Sequence, residues 1–91
     1  PDFAPRHDLD DAMLVDLFNW TEAEFQQRTE GSALRRITYE LWLRNLAVAL
    51  GNAPTSHRII ASLQARADYP SALVREHVEW ALMQHGRNAQ A

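Results

Sequence analysis

The chain has no cysteine. That excludes a disulfide framework, a thiolate nucleophile, and any zinc site or iron–sulfur cluster held by cysteines of this chain. Lysine is also missing, so all nine basic residues are arginines. The formal net charge of −3 argues against broad non-specific binding to nucleic acid. It still leaves room for a local arginine patch on an acidic body. Three glycines are too few and too scattered for a glycine-rich phosphate loop. No apolar run approaches the ~20 residues of a membrane-spanning helix. The opening "PDFAPRHDLDD" is acidic and lacks the apolar core of a secretory signal. A first residue of Pro rather than Met reads as an excised domain, although a trimmed chain would look the same.

What is present is ordinary for a soluble globular domain: 46% hydrophobic and 23% charged residues. Ninety-one residues make one small domain. Such a chain buries roughly 60–65% of the surface its unfolded form exposes, which leaves little margin of stability.

The patterning is helical throughout, with no alternating β-branched runs. Residues 1–8, with Pro1 and Pro5, read as an extended lead-in. A first helix is expected from Leu9 to Asn19, with Asp8, Asp10 and Asp11 suiting its dipole and Met13, Leu14, Leu17 and Phe18 as its apolar stripe. "TEAE" then sets Thr21 as N-cap and Glu24 as its capping-box partner, with Trp20 placed as a staple against Phe25. Gly31 is a suitable left-handed stop, and Ser32 can cap a new start at Ala33. From Ala33 to Leu50 the helical signal is long and apolar on almost every face, the mark of a central helix. Thr38-Tyr39 marks either a kink in it or a break into two helices. Gly51 is expected to end it, followed by the turn "NAPTS". Ser56 caps a helix to about Arg66, with Ile59, Ile60 and Leu63 inward. Ser71 caps a last helix to Gly86, with the stripe Val74, Val78, Ala81 and Leu82, and residues 87–91 as a frayed tail.

Leu43-Arg44 can be set over Val74-Arg75; Ala47 then falls over Val78 and Leu50 over Ala81. That register resembles an α-solenoid repeat of the HEAT-like kind. The expected fold is all-α, a HEAT-like stack of roughly five or six helices.

No catalytic constellation emerges. Of His7, His57, His77 and His85, only the last two share a helix, and eight residues separate them. The acids of "HDLDD" lack calcium-loop spacing and read as helix-start charges. Ser32, Ser56 and Ser71 sit where N-caps are wanted. The arginines are more informative. Arg35 and Arg36 follow a cap, where positive charge opposes the helix dipole. Arg44 and Arg75 share a repeat position, where an arginine can bond an acid of the neighbouring helix or meet a polyanion. Trp20, Trp42 and Trp80 fall at core spacing, with base stacking as the sharper alternative.

An ordered series of motifs remains. Phe3 with Pro5-Arg6 is followed by Trp20 with Glu24-Phe25. Next come "GSALRR" at Gly31–Arg36, "LRNLAVALGN" at Leu43–Asn52, and "VREHVEWAL" at Val74–Leu82. This series resembles the C-terminal part of the epoxyqueuosine reductases, cobalamin- and iron–sulfur-dependent enzymes of tRNA modification. The resemblance implies a cytoplasmic, monomeric parent protein with two [4Fe–4S] clusters and cobalamin held upstream of this chain, which itself would hold no cofactor. It implies a helical domain, non-catalytic by itself, that supports docking of a tRNA anticodon stem–loop in the last step of queuosine biosynthesis. Arg35, Arg36, Arg44 and Arg75 are the candidate tRNA contacts. Gly31, Ser32, Asn45, Gly51, Asn52 and Trp80 are the family-motif or structural residues, with Gly51 and Asn52 expected to make the stop and the turn. The alternative is a HEAT-like protein-interaction domain of another iron–sulfur protein.

Overall fold

The computed structural model describes residues 8–31 and 38–90, and side chains over 11–31 and 38–86. These form five helices: α1 (Asp8–Asn19), α2 (Glu22–Arg28), α3 (Tyr39–Asn52), α4 (His57–Gln64) and α5 (Ala72–Gln90). No strand occurs among the described residues. The molecule is a slab of 43 × 31 × 15 Å, two helix layers deep at its thinnest. Helix α3 packs chiefly on α5 and also on α1, while α4 touches both α1 and α5.

Local chemistry sets most helix starts. The Thr21 hydroxyl accepts from the Glu24 amide at 3.1 Å, and the Glu24 carboxylate accepts from the Thr21 amide at 2.8 Å. This is the capping box that "TEAE" spells. Ser56 accepts from the Ile59 amide at 3.2 Å, and Ser71 from Val74 at 3.3 Å. Thr38 is extended (φ −77°, ψ 158°) and accepts from the Leu41 amide at 3.1 Å, so α3 begins here and no helix runs unbroken through this point. The expected start at Ser32-Ala33 lies outside the described residues.

The core is one cluster. Phe18, Phe25, Leu43, Leu50, Ile59, Leu63, Val74 and Val78 are fully buried within it. Leu43, Leu46, Ala47 and Leu50 are all buried, so α3 is central. It is not enclosed on every side, however, because Asn45 is exposed and Arg44 and Val48 are half-buried.

Four readings are corrected. Met13 is 56% exposed, and Val15 takes its place in the core of α1. Ile60 is half-buried while Ser62, a polar residue, is buried, its hydroxyl bonded to Asn19 Oδ1 at 3.1 Å. The last helix does not stop at Gly86 but runs on to Gln90. Gly51 does not end α3 either. The helix continues through Asn52 to the C-cap Ala53, and Gly51 is buried against α5. A Cβ there would collide with Trp80 Cζ3 and lie 3.1 Å from Ala81 Cα. The glycine serves helix–helix contact, which sequence position next to a turn disguises. Gly31, by contrast, does adopt the left-handed φ of 76°, two residues past the C-cap Thr29.

Candidate functional site

The residues that carry polar chemistry fall into an internal clamp and an open face. The clamp centres on Arg66, which follows α4. Its Nε donates to the Phe18 carbonyl at 2.9 Å and its Nη2 to the Trp20 carbonyl at 3.1 Å. These oxygens lie at the C-terminal end of α1, where partial negative charge gathers and a cation is favoured. The guanidinium also lies over the rings of Phe18 and Tyr69. Tyr39 Oη donates to the same Trp20 carbonyl at 2.5 Å. Burial pushes the Tyr39 phenol above its ordinary pKa, which keeps it a donor. Trp20 stacks on Trp42 at 5.3 Å, with Arg28 also over its ring, and Trp42 meets Phe25 at 5.0 Å. Trp20 and Phe25, the expected staple pair, thus both pack on the Trp42 ring.

Sequence reasoning passed over Arg66. From the sequence, Arg44 and Arg75 read as residues that bond an acid of the neighbouring helix or meet a polyanion. Arg75 Nη1 instead donates to the Tyr69 carbonyl at 2.8 Å, tying down the turn before its own helix. Arg44 is half-buried, and its Nε is buried without a hydrogen-bond partner among the described residues. The arginine that joins distant parts of the chain follows a short helix with no motif around it. Only the tertiary contact identifies it.

His85 and Asp11 are buried polar groups; from the sequence, His85 has no role and Asp11 reads only as charge for the start of its own helix. His85 Nε2 lies 2.7 Å from the Leu50 carbonyl and Nδ1 2.8 Å from Thr55 Oγ1. A carbonyl only accepts, so Nε2 carries a proton, and in the neutral ring Nδ1 accepts from the Thr55 hydroxyl. The imidazole thereby links α5 to the end of α3 and the turn that follows. Asp11 is buried, and it lines one cavity with Ser56, His57 and Arg58 at the start of α4. The first turn of α4 has no acid of its own. Asp11 brings negative charge to that helix start from α1, a use beyond the dipole of its own helix.

The open face runs along α3 and α5. Val48, Glu76, His77 and Trp80 line a cleft there. Asn45 is exposed beside it, and Asn52 turns back on its own helix, Nδ2 donating to the Val48 carbonyl at 3.1 Å. Trp80 lies over Gly51 and stays 36% exposed. Arg44, Asn45, Gly51, Asn52 and Trp80 are therefore neighbours on one side of the molecule. Arg75 is exposed near the other end of α5, while Ser32, Arg35 and Arg36 lie outside the described residues. Among the described residues no three His, Asp or Glu side chains gather as a metal site would require. No helix among them is long and apolar enough to cross a membrane.

The fold and this surface define an all-helical segment whose polar residues brace helix ends and populate one open face. The family resemblance is supported by comparison with known proteins. The chain is 64% identical to the epoxyqueuosine reductase of Pseudomonas aeruginosa over 93% of its own length. It is 62% identical to that of Xanthomonas campestris over 94%, and 49% identical to that of Escherichia coli over 91%. It covers 24%, 24% and 22% of those proteins respectively, so it spans about a quarter of the relatives it matches. Identity of this order along nine-tenths of the chain makes it homologous to one segment of the epoxyqueuosine reductases. No family model matches the chain, and no solved structure does.

Proposed function

We propose that this chain is the C-terminal helical domain of an epoxyqueuosine reductase, non-catalytic by itself, that helps seat a tRNA anticodon stem–loop for the last step of queuosine biosynthesis. The observation that carries the reading is the near-complete coverage of the chain by reductases about four times its length. In this reading the [4Fe–4S] clusters and cobalamin belong to the rest of the polypeptide, since a cysteine-free segment supplies no cluster thiolates. The parent is a cytoplasmic oxidoreductase. The helices are HEAT-like repeats. In support, the paired positions Leu43 and Val74, Ala47 and Val78, and Leu50 and Ala81 are all buried.

The tRNA contacts are arginines to phosphates, which fix position without reading sequence. Arg35, Arg36, Arg44 and Arg75 form the candidate set. Arg35 and Arg36 are the pair to test, because Arg75 holds the Tyr69 carbonyl and Arg44 is half-buried. In the complete enzyme, Arg35→Ala with Arg36→Ala should weaken tRNA affinity and lower the salt slope by about one for each phosphate no longer neutralised. Cluster and cobalamin content should not change. Unaltered tRNA binding would defeat the assignment and leave the domain as a brace.

A further inference from the structure

The open α3–α5 face has a composition that core packing does not explain. Val48 and Trp80 make an apolar floor, and Trp80 and Met83 are 36% and 51% exposed along α5. His77 Nδ1 lies 2.8 Å from the Leu73 carbonyl, so it donates there and leaves Nε2 turned away from its own helix. One turn of α3 from Val48, Arg44 holds a buried Nε with no partner among the described residues. A buried unpaired guanidinium nitrogen is costly, and an acceptor that drew the side chain outward would remove that cost.

We propose that this face, centred on Trp80, Val48 and Arg44, is the surface by which the helical domain packs against the rest of the reductase polypeptide. An apolar side chain of that body sits between Val48 and Trp80, and one of its carbonyl or carboxylate oxygens accepts from Arg44. This rests on the reading of the chain as one segment of an epoxyqueuosine reductase. Two observations select a protein occupant over RNA. The matched relatives place about three quarters of their length outside this segment, and a domain joined to such a body commonly rests on it through one modest interface. Within the cleft, Glu76 would repel phosphates, and the chain as a whole carries a net −3. The proposal withdraws Arg44 from the tRNA-binding set and leaves Arg35, Arg36 and Arg75 in it.

The absence of native cysteine makes thiol footprinting direct within this segment. Asn45→Cys places a reporter beside the cleft, and Gln27→Cys places a control on exposed α2. Both are made in the complete reductase polypeptide and alkylated with iodoacetamide, with peptide-resolved readout, before and after adding tRNA. Without tRNA, position 45 should react at least about tenfold more slowly than position 27. Trp80→Gln, at the centre of the face, should speed reaction at 45 while helix content by circular dichroism stays constant. Equal rates at 45 and 27 would overturn the proposal. Protection that appears only with tRNA would overturn it too, and would give the face to RNA. Measuring tRNA affinity on the same preparations separates the two readings. Protection at 45 in an enzyme whose Arg35 and Arg36 prove irrelevant to tRNA keeps this interface and discards the tRNA assignment.

Discussion

Trp80 of α5 lies where the side chain of residue 51 would be, and Gly51 of α3 provides the space. A Cβ at 51 would collide with the indole and meet the Ala81 backbone at 3.1 Å. The indole can shift, but the Ala81 Cα belongs to the α5 backbone. Gly51→Ala should therefore destabilise the fold by about 1–3 kcal/mol, even though alanine favours helix over glycine. Urea denaturation of Gly51→Ala, alone and with Trp80→Ala, checks this. The double variant should recover part of the added strain, and a single variant at least as stable as the parent would refute the close-approach account.

Arg66 should be irreplaceable by lysine. Its fork reaches two carbonyls at once, Phe18 and Trp20, while an ammonium is a point donor. Arg66→Met should cost about 1–3 kcal/mol, because the Phe18 carbonyl loses its guanidinium donor. Arg66→Lys should recover less than half of that loss in thermal denaturation. Full recovery would mean that charge alone at the end of α1 is what counts.

Leu46 tests the centre of the core. It is 8% exposed on the helix that joins α1 to α5. Leu46→Ala should cost about 2–5 kcal/mol by leaving a cavity. That is a large part of the roughly 5–15 kcal/mol that holds a domain together. A loss under about 1 kcal/mol, by the same denaturation assay, would show that the site collapses or is not core.

Glu24 sets a pH dependence. Its carboxylate accepts from the Thr21 backbone amide, which lowers its pKa from the ordinary value of 4.5. The sign follows: the folded state binds this proton less readily than the unfolded one. The contribution is complete above 4.5 and is lost as pH falls through the lowered folded value. A carboxyl NMR titration should place Glu24 below an ordinary glutamate, and Thr21→Ala, which removes the hydroxyl but keeps the backbone amide, should move it back up only part of the way. Thr21→Ala should itself cost about 1 kcal/mol.

His85 should matter through both of its ring nitrogens. His85→Leu keeps the apolar packing but leaves the Leu50 carbonyl and the Thr55 hydroxyl without this partner. The expected loss is about 1–3 kcal/mol, and Thr55→Val should cost less because Nε2 keeps its carbonyl. Equal losses, measured by calorimetry, would show that the two bonds act as one unit.

The sequence by itself determined the features that are settled within a few residues. Thr21, Ser56 and Ser71 cap helices because a short side-chain oxygen reaches an amide two or three residues on, whatever surrounds it. The glycine at 31 takes a left-handed φ for an equally local reason. The apolar period of Leu43, Leu46, Ala47 and Leu50 marked α3 as central, because only burial rewards that spacing. Tertiary structure decided whatever depends on a partner distant in sequence. Gly51 stands next to a turn and so reads as a stop, yet Trp80 and Ala81 of α5 require it inside the helix. Arg66 carries no motif, and its meaning comes from carbonyls 46 and 48 residues away. Asp11 reads as charge for its own helix and is buried beside the start of another. Capping and periodicity are short-range and repeat along the chain. Which side chain meets which carbonyl is set only when the helices pack.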